Sequence, residues 1–149
     1  MKILYLGKYP PLQGGESTKA YWLLRELGQR GHEIDVVTTA NDASPGYKYN
    51  LGRQGYRLQP RNVRVHAIDQ GKAPFFIPKY LPSNERVISK GLEVMDKQLP
   101  DIIFSWYLLP YAPAAHALNR MSGVPFCVQH AGSDKKRLLP WKSISTYLD

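Results

Sequence analysis

The sequence predicts an α/β protein with a doubly wound, mostly parallel sheet, and three observations near its start carry that expectation. Lys2-Ile3-Leu4-Tyr5-Leu6 is a short apolar run that breaks into a loop ending at Gly14-Gly15. From Ser17 onward, Ala20, Leu23, Leu24 and Leu27 recur at the i, i+3, i+4, i+7 spacing of a helix face. Gly28-Gln29-Arg30-Gly31 stops that helix, and Ile34-Asp35-Val36-Val37-Thr38 follows as a second apolar strand. Strand, glycine loop, helix, strand is the opening unit of a parallel α/β domain.

The later elements continue the alternation. Ala40 to Pro60 is rich in Gly, Asn, Asp and Tyr and has no sustained period. It reads as a long surface excursion carrying Tyr47, Tyr49 and Tyr56 with Lys48, Arg53 and Arg57: a solvated loop, an acceptor-binding loop or a membrane contact. Asn62 to Ile68 alternates at period two and predicts a third strand, with His66 as a partly exposed strand residue rather than a ligand. Gly71 to Pro82 is irregular, apolar and proline-punctuated. Asn84 is placed to cap a helix from Glu85 to about Leu99, with Ile88, Leu92, Met95 and Leu99 on one face. Asp101 to Trp106 is a nearly continuous apolar strand, suggesting burial on both sheet faces. Pro110 to Arg120 predicts a short alanine-rich helix bent at Pro113, and Gly123 to Gln129 a fifth strand.

Bulk composition narrows the function classes. A chain of 149 residues holds one domain with a real core. A hydrophobic fraction of 43% with 21% charged residues is that of a soluble globular protein. The single cysteine, Cys127, excludes an intrachain disulfide and a cysteine-rich zinc site, and its apolar surroundings predict a buried structural thiol. The histidines are scattered, so no metal site is expected. The net charge of +8 favours an anionic partner: a nucleotide, a phospholipid surface or nucleic acid. The basic residues are dispersed, apart from Lys135-Lys136-Arg137, and no nucleic-acid motif is present, which argues against the last. No signal peptide or membrane span is evident, so a cytoplasmic location is expected.

With strand order 3-2-1-4-5, a crevice would open between the first and fourth strands, where ligands bind in such sheets. Three loops would border it: Gly14-Gly15, Ser105-Trp106-Tyr107, and His130 to Asp134. Adjacent glycines at the mouth of a helix let backbone amides approach a ligand, although Gly-Gly also marks plain turns. Glu16 would cap helix N–H groups or bind a sugar hydroxyl. His130, ending an apolar strand, could face the crevice as donor or acid/base. Gly132 permits a tight turn, and Ser133 and Asp134 organise that loop or bind a hydroxyl. Trp106 and Tyr107 offer flat apolar surface and a phenol, suited to a sugar ring or to packing.

Pro10 to Glu16, followed by Leu23 to Gly31 and the turn Gly31-His32-Glu33 into Ile34 to Thr38, resembles the amino-terminal domain of GT-B fold glycosyltransferases, in particular the retaining family 4. Pro125 to Asp134 is similar to that family's fifth strand and its glycine-Ser-Asp loop. The resemblance covers nearly the whole chain. It implies a Rossmann-like acceptor-side domain over residues 1–149, incomplete, whose carboxyl-terminal nucleotide-sugar-binding domain is absent. It implies transfer of a sugar from a nucleotide-sugar donor to an acceptor hydroxyl, with retention and without an obligate metal or cofactor. Gly14, Gly15, Gly132, Ser133 and Asp134 would bind the donor, and His130 would be the catalytic-centre histidine. Glu16, Trp106, Tyr107 and Tyr47 would receive the acceptor. Ala131 and Glu16 depart from the family pattern. The isolated chain is expected to be inactive or nearly so, since a leaving diphosphate needs donors on both sides of a closed cleft. Its partners would be the donor domain, in cis or in trans, and an anionic membrane surface or lipid-linked acceptor at the inner face of the membrane. The alternatives are a non-catalytic or split-partner binding module and an unrelated small nucleotide-binding α/β protein.

Overall fold

A computed structural model describes residues 1–10, 15–39, 60–68 and 82–130. The elements run β1 (Lys2–Leu6), α1 (Gly15–Gln29), β2 (Glu33–Thr39), β3 (Val63–Ile68), α2 (Pro82–Lys97), β4 (Ile102–Trp106), α3 (Tyr111–Ser122) and β5 (Phe126–Gln129). The five strands pair in the order β3-β2-β1-β4-β5. Every pairing is parallel. The doubly wound order expected from the sequence is therefore the one observed.

Two cores follow from the period of two along each strand. Ile3, Tyr5, Ile34, Val36 and Val63 point to one face, where Ala20 and Leu24 of α1 cover them. Leu4, Leu6, Val37 and Ile103 point to the other, packed by Val87, Val94 and Met95 of α2 and by Ala114, Ala115 and Leu118 of α3. At the end of α1, the Gly31 N–H donates to the Gly28 carbonyl and the His32 N–H to the Leu27 carbonyl, both at 3.1 Å. This pair of hydrogen bonds requires the left-handed φ of 85° that Gly31 adopts, which glycine takes without a Cβ clash. The turn sends the chain straight into β2, as the Gly-His-Glu run implied. Gly28 answers a second constraint, since a Cβ there would lie 2.6 Å from the Arg61 carbonyl oxygen.

Several local expectations are corrected. Asn84 lies inside the first turn of α2 rather than capping it, and its Oδ1 is buried without a partner. The helix begins two residues earlier, at Pro82, where a fixed φ is pre-organised for helix entry. Its buried positions are Val87, Gly91, Val94 and Met95; Ile88 and Leu92 flank them and Leu99 is 58% exposed. The helix is thus rotated toward α3, because Gly91 lets Leu118 approach closely. Pro113 falls in the first turn of α3, where its missing N–H has no intrahelical acceptor to lose, so one continuous helix runs to Ser122. β4 is buried at Ile103 and Ser105 but only half-buried at Ile102, Phe104 and Trp106. Cys127 is exposed. Its side of the sheet lies beyond α1, and all four β5 residues are open to solvent. Residues 40–59 and 69–81, with Tyr47 and both loop readings, lie outside the described residues.

Candidate functional site at the β1–β4 crevice

All five strands deliver their carboxyl ends to one edge of the sheet. Neighbours diverge there between β1 and β4, the topological switch point at which ligands of such sheets sit. Lys8 and Tyr9 leave β1 at this edge, Gly15 and Glu16 begin α1, Thr39 ends β2, Tyr107 follows β4, and Tyr111 begins α3.

Tyr107 is the most constrained residue of the group. Its φ is +89°, in a region that side-chain-bearing residues rarely adopt. Three contacts hold it there. Its N–H donates to the Gln129 carbonyl at 2.8 Å, continuing the β4–β5 ladder. Its carbonyl accepts from the buried Ser105 hydroxyl at 3.3 Å. Its side chain is 7% exposed and carries the Lys8 ammonium 5.3 Å from the ring centroid, within cation–π range. The Tyr107 ring is packed into the core, which agrees with the packing reading of this residue and leaves its acceptor role to the phenol end.

Hydrogen bonding with Tyr107 and with its own backbone N–H, helped by nearby Lys8 and Lys19, holds the Glu16 carboxyl below the usual carboxylate range. Glu16 stands in the first turn of α1, where the helix dipole favours negative charge as well. Gly15 beside it has open space where a Cβ would be and no left-handed φ, so neither packing nor backbone conformation demands glycine there.

The floor is lined by phenols. Burial, with neighbouring Tyr111, Tyr107 and Tyr9, pushes the Tyr5 hydroxyl far up, and burial does the same for Tyr9. Both stay neutral and supply no phenolate. The Tyr5 hydroxyl donates to the Lys8 carbonyl at 3.2 Å, pinning the outgoing loop. The Thr39 and Tyr111 hydroxyls share a buried hydrogen bond of 3.2 Å.

The structure thus brings Gly15, Glu16 and Tyr107 to one mouth. Trp106 lies on the strand itself, half-buried against Phe104 at 6.1 Å between ring centroids, and belongs to the core packing. His130 is exposed immediately beyond β5, two strands from β1, and its carbonyl accepts from the Gln129 side chain at 3.3 Å. Gly14, Gly132, Ser133, Asp134 and Tyr47 lie outside the described residues. Lys8, Thr39 and Tyr111 were missed by sequence reasoning. The available signal was position alone, since each sits at a strand end or helix start facing the switch point. Among the described residues no group of three or more His, Cys, Asp or Glu side chains could hold a metal ion.

Sheet order, helix placement and crevice define a Rossmann-like α/β domain, the architecture of the amino-terminal half of GT-B transferases. Residues 14–145 match the glycosyl transferase 4-like domain, and the chain belongs to that family. A curated relative, the N-acetyl-alpha-D-glucosaminyl L-malate synthase of Bacillus anthracis, is 27% identical over 113 residues. The match covers 76% of this chain and 26% of the relative, so the chain spans about a quarter of that relative's length. Among solved structures, the C-terminal domain of a Pyrococcus furiosus hydrogenase superposes with a TM-score of 0.58 at 16% identity, covering 86% of this chain and 89% of that one. The Neisseria meningitidis UDP-GlcNAc 2-epimerase gives 0.55 at 17% identity (97% and 36%). The glycotransferase of kitacinnamycin gives 0.54 at 14% (93% and 34%). At such identities these structures speak to the fold alone. No helix among the described residues is long and apolar enough to cross a membrane.

Proposed function

We propose that this chain is the acceptor-side part of a glycosyltransferase that moves a sugar from a nucleotide-sugar donor to an acceptor hydroxyl, with retention. The family match over residues 14–145 carries the reading. The curated relative's name describes an alpha-linked glucosaminyl product. Such a product is what retention leaves from an alpha-configured nucleotide sugar. Gly15 adds local support: its missing side chain leaves open space beside the crevice that a donor phosphate or sugar would use. With Gly14, Gly132, Ser133 and Asp134 it is assigned to the donor, while His130 positions or polarises a sugar hydroxyl and Glu16, Tyr107, Trp106 and Tyr47 serve the acceptor. No metal or cofactor takes part. A second domain, in cis or as a partner chain, supplies the remaining contacts to the diphosphate, and the isolated chain is inactive or nearly so. The cationic surface suits a lipid-linked acceptor at an anionic inner membrane face.

The test is nucleoside diphosphate release from UDP-glucose, UDP-N-acetylglucosamine and GDP-mannose. It is measured on the 149-residue chain and on the native product purified from its source cells with any partner. Release by the native product alone is the expected result. Equal turnover by the 149-residue chain overturns the two-part reading, and no release by either overturns glycosyl transfer.

A further inference from the structure

We infer that Lys8 binds a phosphate group at the β1–β4 switch point, and that the Tyr107 ring holds its ammonium in place there. The inference rests on the glycosyltransferase reading for the source of that phosphate, which is the donor's diphosphate or a phosphorylated acceptor.

The ammonium spans the two strands that part at the crevice. Lys8 leaves the carboxyl end of β1, Tyr107 follows β4, and the Lys8 Nζ stands 5.3 Å from the Tyr107 ring centroid. The pairing sets Leu6 beside Ser105, so the residues just past them face each other over the gap. Ligands of parallel sheets bind outside these carboxyl ends. Lys8 is exposed, and none of the ion pairs among the described residues involves it. The Glu16 carboxylate feels its charge without pairing with it. A ring face attracts a cation through its quadrupole and does not neutralise it. The charge, with N–H donors to spare, stays open to an anion.

Both ends of this lysine are fixed. Its carbonyl accepts from the Tyr5 hydroxyl at 3.2 Å. That bond lays the Tyr5 ring across Gly7, where a Cβ would fall 2.5 Å from the Tyr5 hydroxyl oxygen, so only glycine makes room for it. At the other end, the Tyr107 backbone is held at a φ of +89° by the Gln129 carbonyl and the Ser105 hydroxyl. Strained backbone that its neighbours over-determine is a mark of ligand clamps. A lysine normally loses the freedom of its flexible stem when it binds, and here part of that cost is met before the ligand arrives. Phosphate suits such a point charge, because it needs no planar fork and presents roughly two charges on three acceptor oxygens.

The experiment titrates the isotopically labelled 149-residue chain with inorganic pyrophosphate at fixed ionic strength, following the amides of Gly7, Lys8, Tyr107 and Leu108 by NMR. These amides should move together. In the free chain the Lys8 side-chain protons should already lie upfield, shifted by the Tyr107 ring. Lys8→Met keeps the stem and should weaken pyrophosphate binding about tenfold or more, as loss of a charge-assisted hydrogen bond does. Lys8→Arg should retain binding within a few-fold, and Lys97→Met, the same change of charge on α2, should alter nothing. No shift at these amides, or equal affinity in Lys8→Met and the unaltered chain, overturns the phosphate site. Lys8 side-chain protons at ordinary positions overturn the role of the Tyr107 ring. UDP and glycerol 3-phosphate separate the two sources: tighter UDP supports a site for the donor, and tighter glycerol 3-phosphate a site for the acceptor. In either case the preference should vanish in Lys8→Met. Diphosphate release by the native product reports separately on the underlying reaction, so the two readings can fail independently.

Discussion

The hydroxyls of Thr39 and Tyr111 meet at 3.2 Å inside the protein, joining the carboxyl end of β2 to the first turn of α3. The bond crosses beneath the switch point and ties both walls of the crevice together. Thr39→Val keeps the shape and removes the bond, leaving a polar atom in an apolar setting. It should lower unfolding stability by about 1–2 kcal/mol in a urea titration. Combined with Tyr111→Phe, the loss should be smaller than the sum of the single losses. Strict additivity would show that the two hydroxyls do not interact.

Asp35 offers a pH-dependent test. It accepts two bonds from Arg64, at 3.0 and 2.9 Å, and one contact from His66 Nε2 at 2.7 Å. Burial alone would raise its pKa, but Arg64 and His66 outweigh that, and the carboxyl is held below its ordinary range. A depressed folded-state pKa contributes stability that is present above the unfolded value of about 4 and is lost as pH falls through the folded value. Glu33, at 3.9 Å from Arg64, is the other charge facing the cluster. Asp35→Asn should therefore cost about 1–2 kcal/mol at pH 7 and progressively less toward pH 3. A deficit that stays constant across this window would exclude the ion pair as its cause.

The glycines make a graded series. Gly28→Ala drives a Cβ to 2.6 Å from a backbone carbonyl that cannot move without shifting β3's entry, and should destabilise by about 1–3 kcal/mol despite alanine's helix preference. Gly91→Ala meets the end of the Leu118 side chain, also at 2.6 Å, which can rotate away, so its cost should be smaller. Gly15→Ala has open space and should not destabilise at all. In the native product it should instead slow diphosphate release. Thermal melts and turnover together separate the three.

Cys127 should be accessible in the folded chain. It is exposed, yet partial burial raises its thiol pKa. A disulfide reagent such as dithionitrobenzoate should label it without denaturant, slowly at pH 7 and faster as pH rises. Labelling that requires unfolding would return it to the buried state its sequence neighbours suggested.

Periodicity by itself determined the type and order of the described elements, because an apolar stripe at 3.6 or 2 residues records which side of a segment must leave water. The run Pro10 to Glu16 and the turn Gly31-His32-Glu33 carried the family resemblance, and the strand ends located the switch-point loops once a parallel sheet was assumed. What covers each stripe was decided only in three dimensions. Leu99 falls just beyond the last turn of α2, and Cys127 lies on a strand whose four residues are all exposed. Asn84 lies inside a helix that starts earlier than its cap signal. α2 turned onto Val87, Gly91 and Val94 because Leu118 of a distant helix needed that space. The constrained placing of Tyr107 lay outside the sequence. It depends on β4 and β5 being neighbours, which brings its N–H to the distant Gln129 carbonyl, and on β1 and β4 being neighbours, which brings Lys8 to its ring, while Ser105 just before it completes the clamp.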